Sequence, residues 1–106
     1  RPIHGLVEIL YEELVQALDV LDARLRRGSV SLHEASATRA RSILAALLTS
    51  LDPAQGQATE LFAQVYRGMI ASLHRAVLED DMMRLREVRE SAVEMQRTWR
   101  LLKLAH

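Results

Sequence analysis

Four histidines and fourteen carboxylates are the first residues to test for chemistry, because the chain contains no cysteine and so no thiolate nucleophile, disulfide or sulfur-ligated metal. Helical proteins that bind two irons or manganeses pair Glu-x-x-His motifs across facing helices. His4, His33, His74 and His106 each lack a Glu three residues earlier. No two histidines stand four apart, and no H-E-x-x-H zinc helix occurs. His74 is followed by Arg75, Ala76, Val77 and Leu78, without the Lys and Gly that follow the histidine of phosphotransfer domains. There is no glycine-rich phosphate loop and no G-x-S-x-G elbow. Glu79, Asp80 and Asp81 read as a solvated helix start rather than an acid–base pair. The expectation is a protein that is not an enzyme, with no catalytic residue, metal ligand or cofactor.

The elements that would position any site are all helical. Ile3, Val7, Leu10, Leu14, Ala17 and Leu21 recur at alternating spacings of four and three. Arg24, Arg26 and Arg27 crowd the end of that segment, where cations complement the helix dipole, and Gly28 is placed to cap it. Ser31 and Glu34 have capping-box spacing. Ala37, Ala40, Leu44, Leu47 and Leu51 carry the next stripe. Asp52-Pro53 ends it and offers an N-cap and first position for the third helix. The third stripe is Ala58, Phe62, Val65, Met69, Leu73 and Ala76. Asp80 or Asp81 can cap the fourth, which runs through Leu85, Val88, Ala92, Met95, Trp99 and Leu102. The pattern predicts one domain over residues 1–106, an all-α, antiparallel up-and-down four-helix bundle with helices at about 3–27, 31–51, 53–79 and 81–104. Trp99, on the fourth stripe, reads as a packing residue with its indole N–H at the edge.

Two of these helices are more apolar than a bundle requires. On the first, Tyr11, Val15 and Leu18 extend the stripe to one side and Ile9 and Val20 to the other. The resulting arc approaches roughly 240°, against the ~100° that a core-facing helix needs. Tyr66, Ile70 and Val77 widen the third stripe in the same way. Tyr11 and Tyr66 fall at the borders of their stripes, where an amphipathic ring can serve as an interface anchor. Surplus of this kind implies a groove for a partner, a dimer face, or a cover supplied by a segment preceding Arg1, since the sequence opens without a Met; the alternative is that one helix is more central than drawn and buries everything.

Charge narrows the choice of partner. Fourteen basic residues balance fourteen acidic ones, so the electrostatic footprint of a nucleic-acid binder is missing, as is a polybasic membrane tether. The longest apolar run, Ile43 to Leu48, is far short of a membrane span. Absence of cysteine suits a reducing compartment, and the expected location is the cytoplasm. The expected partner is another polypeptide.

Four sequence pieces then resemble the FliS-type flagellar secretion chaperones. Leu6-Val7-Glu8-Ile9-Leu10-Tyr11-Glu12 is similar to the family's L-I-x-M-L-Y-D. Ala40, Ile43, Leu44 and Leu47 lead into Ser50-Leu51-Asp52 and Gly56. Phe62, Val65-Tyr66 and Met69 are similar to L-x-x-L-Y-x-Y-M, and Glu94-Met95 with Thr98-Trp99 to E-L-R-x-x-W. The set runs in order over residues 5 to 102, while Glu13, Leu61 and Gly68 stand where the family commonly has Gly, Asn and Tyr. The resemblance implies a cytoplasmic chaperone that binds the disordered C-terminal segment of flagellin, prevents its premature polymerisation and presents it to the export apparatus. On this reading Leu6, Tyr11, Val15, Leu18, Tyr66, Ile70 and Val77 line part of the client groove. The alternative is a self-associating bundle whose extra apolar surface forms a homodimer with no flagellin client.

Overall fold

The computed structural model describes the backbone of residues 2–105 and the side chains of residues 5–102. Four long helices follow one another with no strand among the described residues: α1 Pro2–Arg26, α2 Ala35–Thr49, α3 Gln57–Leu78 and α4 Met82–Ala105. A short 3-10 turn, Pro53–Gln55, lies between α2 and α3. The connections are brief, so successive helices run antiparallel. α1 packs on α2 and α4, and α3 packs on the same two helices, which arranges the four around a square with α1 and α3 on one diagonal. The bundle is 44 Å long and about 20 Å across.

The helix ends differ in detail from the capping expected. Ser31 does not open α2. Its hydroxyl accepts from the backbone N–H of His33 (3.0 Å), forming a local turn, and Glu34 takes the N-cap place. The Glu34 carboxylate accepts from the N–H groups of Ser36 (2.8 Å) and Ala37 (3.3 Å) and from the Ser36 hydroxyl. Asp52 and Pro53 also act one element earlier than expected. Asp52 caps the 3-10 turn through Ala54 N–H (2.9 Å), and α3 starts only after Gly56, whose φ of 64° redirects the chain.

Between α3 and α4 the chain makes a tight reversal. Asp80 adopts φ 53°, Asp81 N–H reaches Ala76 C=O (2.9 Å) and Asp80 N–H reaches Val77 C=O (3.5 Å), the paired bonds of a Schellman ending. Asp81 then caps α4 by accepting from Arg84 N–H (3.0 Å).

The core keeps the expected period but not always the expected residues. In α1 the buried residues are Val7, Tyr11, Leu14, Leu18, Leu21 and Leu25, again at spacings of four and three, with Ala17 buried beside them as the stripe predicts. This row is turned toward Tyr11 relative to the stripe through Leu10; Leu10 is only half-buried, and the Ile3 side chain lies outside those described. In α3, Ala63 and Tyr66 are buried where Ala58 and Val65 were expected, and Met69, Leu73 and Ala76 complete the row. α2 and α4 contribute Ala37, Ala40, Leu44, Leu47, Leu85, Val88, Ala92 and Met95 as read from the stripes. Trp99 is half-buried against the core, and Leu102 is exposed.

Candidate functional site

The seven residues expected to line a groove do not form one surface. Tyr11 (0% exposed) and Tyr66 (2%) point into the middle of the bundle from the diagonal pair α1 and α3, and their hydroxyls hydrogen-bond to each other. Leu18 and Val77 are buried in the same core. Val15 and Ile70 are half-buried against it, and only Leu6 is largely open, at 56%. An open groove lined by Tyr11, Leu18, Tyr66 and Val77 is therefore corrected to a core. The cause is the choice between two helical flanks that share residues: the one carrying Tyr11, Leu18 and Leu25 offers more apolar volume than the one on which Leu10 stays half-buried. Burying the larger side chains removes more apolar surface from water.

The tyrosine pair sets the electrostatics of the centre. Burial drives both phenols above the ordinary tyrosine value, and for Tyr11 the neighbouring Tyr66 hydroxyl adds to the effect. Both rings stay neutral, one phenol donates to the other, and Phe62 packs edge-on to Tyr66 (6.2 Å between ring centres, 86° between planes). The pair joins two helices that otherwise make little contact.

The surplus apolar surface survives on the other side of α1. Leu6, Ile9 (52% exposed) and Val20 are open to solvent. At about 100° per residue they lie on the side of the helix that carries Glu13, and Glu13 pairs with Arg39 of α2. The opposite side of α1 carries Glu8, Asp19 and Asp22, which face Arg100, Arg89 and Arg86 of α4. The open apolar residues therefore border α2 rather than α4. On α2, Ser42, Ala46 and Thr49 continue the line of Arg39 at spacings of three, four and three, and all are exposed. The α2 helix has only two charged residues, Arg39 and Arg41. The α1–α2 edge is thus a shallow, charge-poor face with large apolar side chains on one wall and small ones on the other. Ile9 and Val20 were legible in the sequence as part of the wide arc; the missing signal was which side of that arc the core would take.

The carboxylates of the α3–α4 turn are engaged in structure. His33 and His74 are exposed, and His4 and His106 lie outside the described side chains. Glu79 pairs with Arg75 (3.1 Å), Asp80 accepts from the Ser29 hydroxyl (2.8 Å) and Asp81 caps α4. Among the described residues no three His, Asp or Glu side chains converge to hold a metal ion, and no helix is long and apolar enough to cross a membrane.

The described residues form an antiparallel helical bundle with a filled core and an open apolar edge. Over residues 2–105 the chain matches the family described as Flagellar protein FliS, and it belongs to that family of flagellar secretion chaperones, which is not an enzyme family. Comparison with curated proteins and with solved structures gives no match.

Proposed function

We propose that this bundle holds the disordered C-terminal segment of flagellin before export and keeps it from polymerising prematurely. The observation that carries the reading is the α1–α2 edge, where Leu6 and Ile9 stand exposed on the side of the Glu13–Arg39 pair that leads to Ser42, Ala46 and Thr49, with Val20 exposed on the other side of that pair. Such a face suits an amphipathic segment laid lengthwise, with its apolar side chains against α1 and its backbone close to the small residues of α2. A client that orders only on binding loses conformational freedom in doing so, which offsets part of the apolar gain and permits later release. Membership of a flagellar chaperone family supports a protein partner of this kind. Of the groove residues named from sequence, Leu6 belongs to this seat; Tyr11, Leu18, Tyr66 and Val77 act beneath the surface by holding α1 and α3 in place.

Calorimetry against the C-terminal peptide of the cognate flagellin tests the proposal. The wild-type chain binds, and Ile9→Asp lowers affinity at least tenfold, about 1.4 kcal/mol, while its melting stays within ~0.5 kcal/mol because Ile9 is exposed. Absence of binding at high micromolar peptide would sink the reading for that flagellin. A dimer that persists on dilution and is broken by Ile9→Asp would assign the same face to self-association instead.

A further inference from the structure

On the edge of the bundle opposite α1–α2, a groove of about 360 Å³ runs between α3 and α4, lined by Val65, Glu87, Glu90, Ser91, Glu94 and Met95. Its floor is apolar: Val65 is 38% exposed and Met95 lies beside it. Its rim is acidic, because Glu87, Glu90 and Glu94, three and four residues apart, share one face of α4. Glu94 meets Arg97 of its own helix (2.7 Å), and among the described residues neither Glu87 nor Glu90 has an ion pair.

The α3 wall does not answer this charge. Its cations are turned to their own helix and its end, Arg67 toward Glu60 (4.0 Å) and Arg75 toward Glu79 (3.1 Å). The helix α4 is thus polarised. Its α1-facing edge carries Arg86, Arg89 and Arg100, neutralised by Asp22, Asp19 and Glu8, and its α3-facing edge carries carboxylates that no α3 cation neutralises.

We infer that the α3–α4 groove docks a cationic amphipathic helical segment of a second protein. One Leu- or Met-class side chain sits on Val65 and Met95, and two or three Lys or Arg spaced at three and four residues meet Glu87, Glu90 and Glu94. Another copy of this chain is a poor occupant, because its own row of arginines on α4 is already engaged by α1. The groove lies across the bundle from the α1–α2 edge, so both can be filled at once, and the inference does not rest on the flagellin reading.

The probe is a fluorescent helical peptide of roughly four turns, ~14 residues, with Leu at helical spacing and Lys on both flanks, titrated by anisotropy. Saturable binding is expected, weakened about tenfold in the Glu87→Gln/Glu90→Gln/Glu94→Gln variant, since three half-screened pairs are lost. Raising salt weakens it further as the Debye length shortens. Val65→Lys removes binding by placing a cation on the floor, with the fold checked by circular dichroism, and Ile9→Asp leaves binding unchanged. An oligolysine of equal length, lacking the anchor, binds more weakly than the probe. The inference is overturned if the triple Gln variant binds equally well, if a charge-reversed peptide binds as tightly, or if oligolysine matches the probe. It is also overturned if Ile9→Asp abolishes the signal, or if light scattering shows the groove variants breaking a dimer.

Discussion

Replacing Tyr11, Tyr66 or both by Phe tests the centre of the bundle directly. Each hydroxyl is buried and has the other as its hydrogen-bond partner. A single Phe strands the remaining phenol in apolar surroundings, at about 1–3 kcal/mol. The double Phe variant loses the bond but strands nothing, so its cost is at most ~1 kcal/mol, and the two singles sum to well more than the double, by roughly 1–3 kcal/mol. At ~2.1 cal/mol/K per residue, 106 residues put each kcal/mol at about 4–5 °C of melting temperature. Thermal and urea melts of the four proteins complete the cycle. Alkaline titration gives a second readout. A phenol whose pKa is raised in the fold contributes stability that is fully present below its unfolded value, near 10, and is lost as pH rises through the folded value. Wild-type stability therefore falls above about pH 10 more steeply than that of the double Phe variant. Additive single substitutions, or phenols that ionise near pH 10 while the helices persist, would refute the buried pair.

Substitutions at three other positions probe the frame. Gly68→Ala stabilises by about 1 kcal/mol, because a Cβ there meets nothing within 4 Å and Gly is the poorer helix former; a lower melting temperature would contradict the open space. Glu34→Ala costs about 1 kcal/mol as a lost cap. Burial alone would raise the Glu34 pKa, but the hydrogen bonds from Ser36 and Ala37 and the Arg24 guanidinium (2.9 Å) hold it below the usual 4.5. That stability is present above the unfolded value and lost as pH falls through the folded one, so melts between neutral pH and about pH 3 should show a weaker acid dependence in the variant. Asp80→Ala costs about 1 kcal/mol, because alanine lacks the short polar side chain that favours the left-handed region at φ 53° and accepts from the Ser29 hydroxyl, measured by urea melts, whereas Asp80→Asn stays near wild type.

The helix count and the existence of a bundle were legible because apolar spacing and the breaks at Gly28, Asp52-Pro53 and Asp80-Asp81 are local signals. The azimuth of each helix was not. In α1, Val7, Leu14 and Leu21 belong to two stripes at once, and periodicity scores both alike. What separates them is the volume that neighbouring helices can enclose, a tertiary property, and it turns α1 and α3 until Tyr11 and Tyr66 meet. The same rotation explains why Val65 became a surface residue, whereas Ala58 is exposed because it lies in the first turn of α3, at the end of the bundle. The Ser31 capping box failed for a different reason: Glu34 satisfies two N–H groups of α2 from the cap position itself, so the helix opens at Glu34 and not at Ser31.

That rotation also decides where function can reside. A 106-residue bundle cannot enclose an arc of roughly 240° on α1; one flank must stay wet. Once the Tyr11 flank is taken into the core, the Leu6, Ile9 and Val20 flank is left over. The seam beside it has few charges, whereas the α1–α4 seam is closed by three ion pairs. An apolar segment that settled along α1–α4 would have to desolvate those pairs, which costs more than the contacts it would gain. Along α1–α2 it meets Leu6, Ile9 and the small residues of α2 beside the Glu13–Arg39 pair, the other ion pair of this seam, Arg24–Glu34, lying at the far end where α2 begins. Residues on opposite flanks of one helix thus have separate places: Tyr11 holds the bundle together from its core, and Ile9 stands on the open flank that the proposed function assigns to a client.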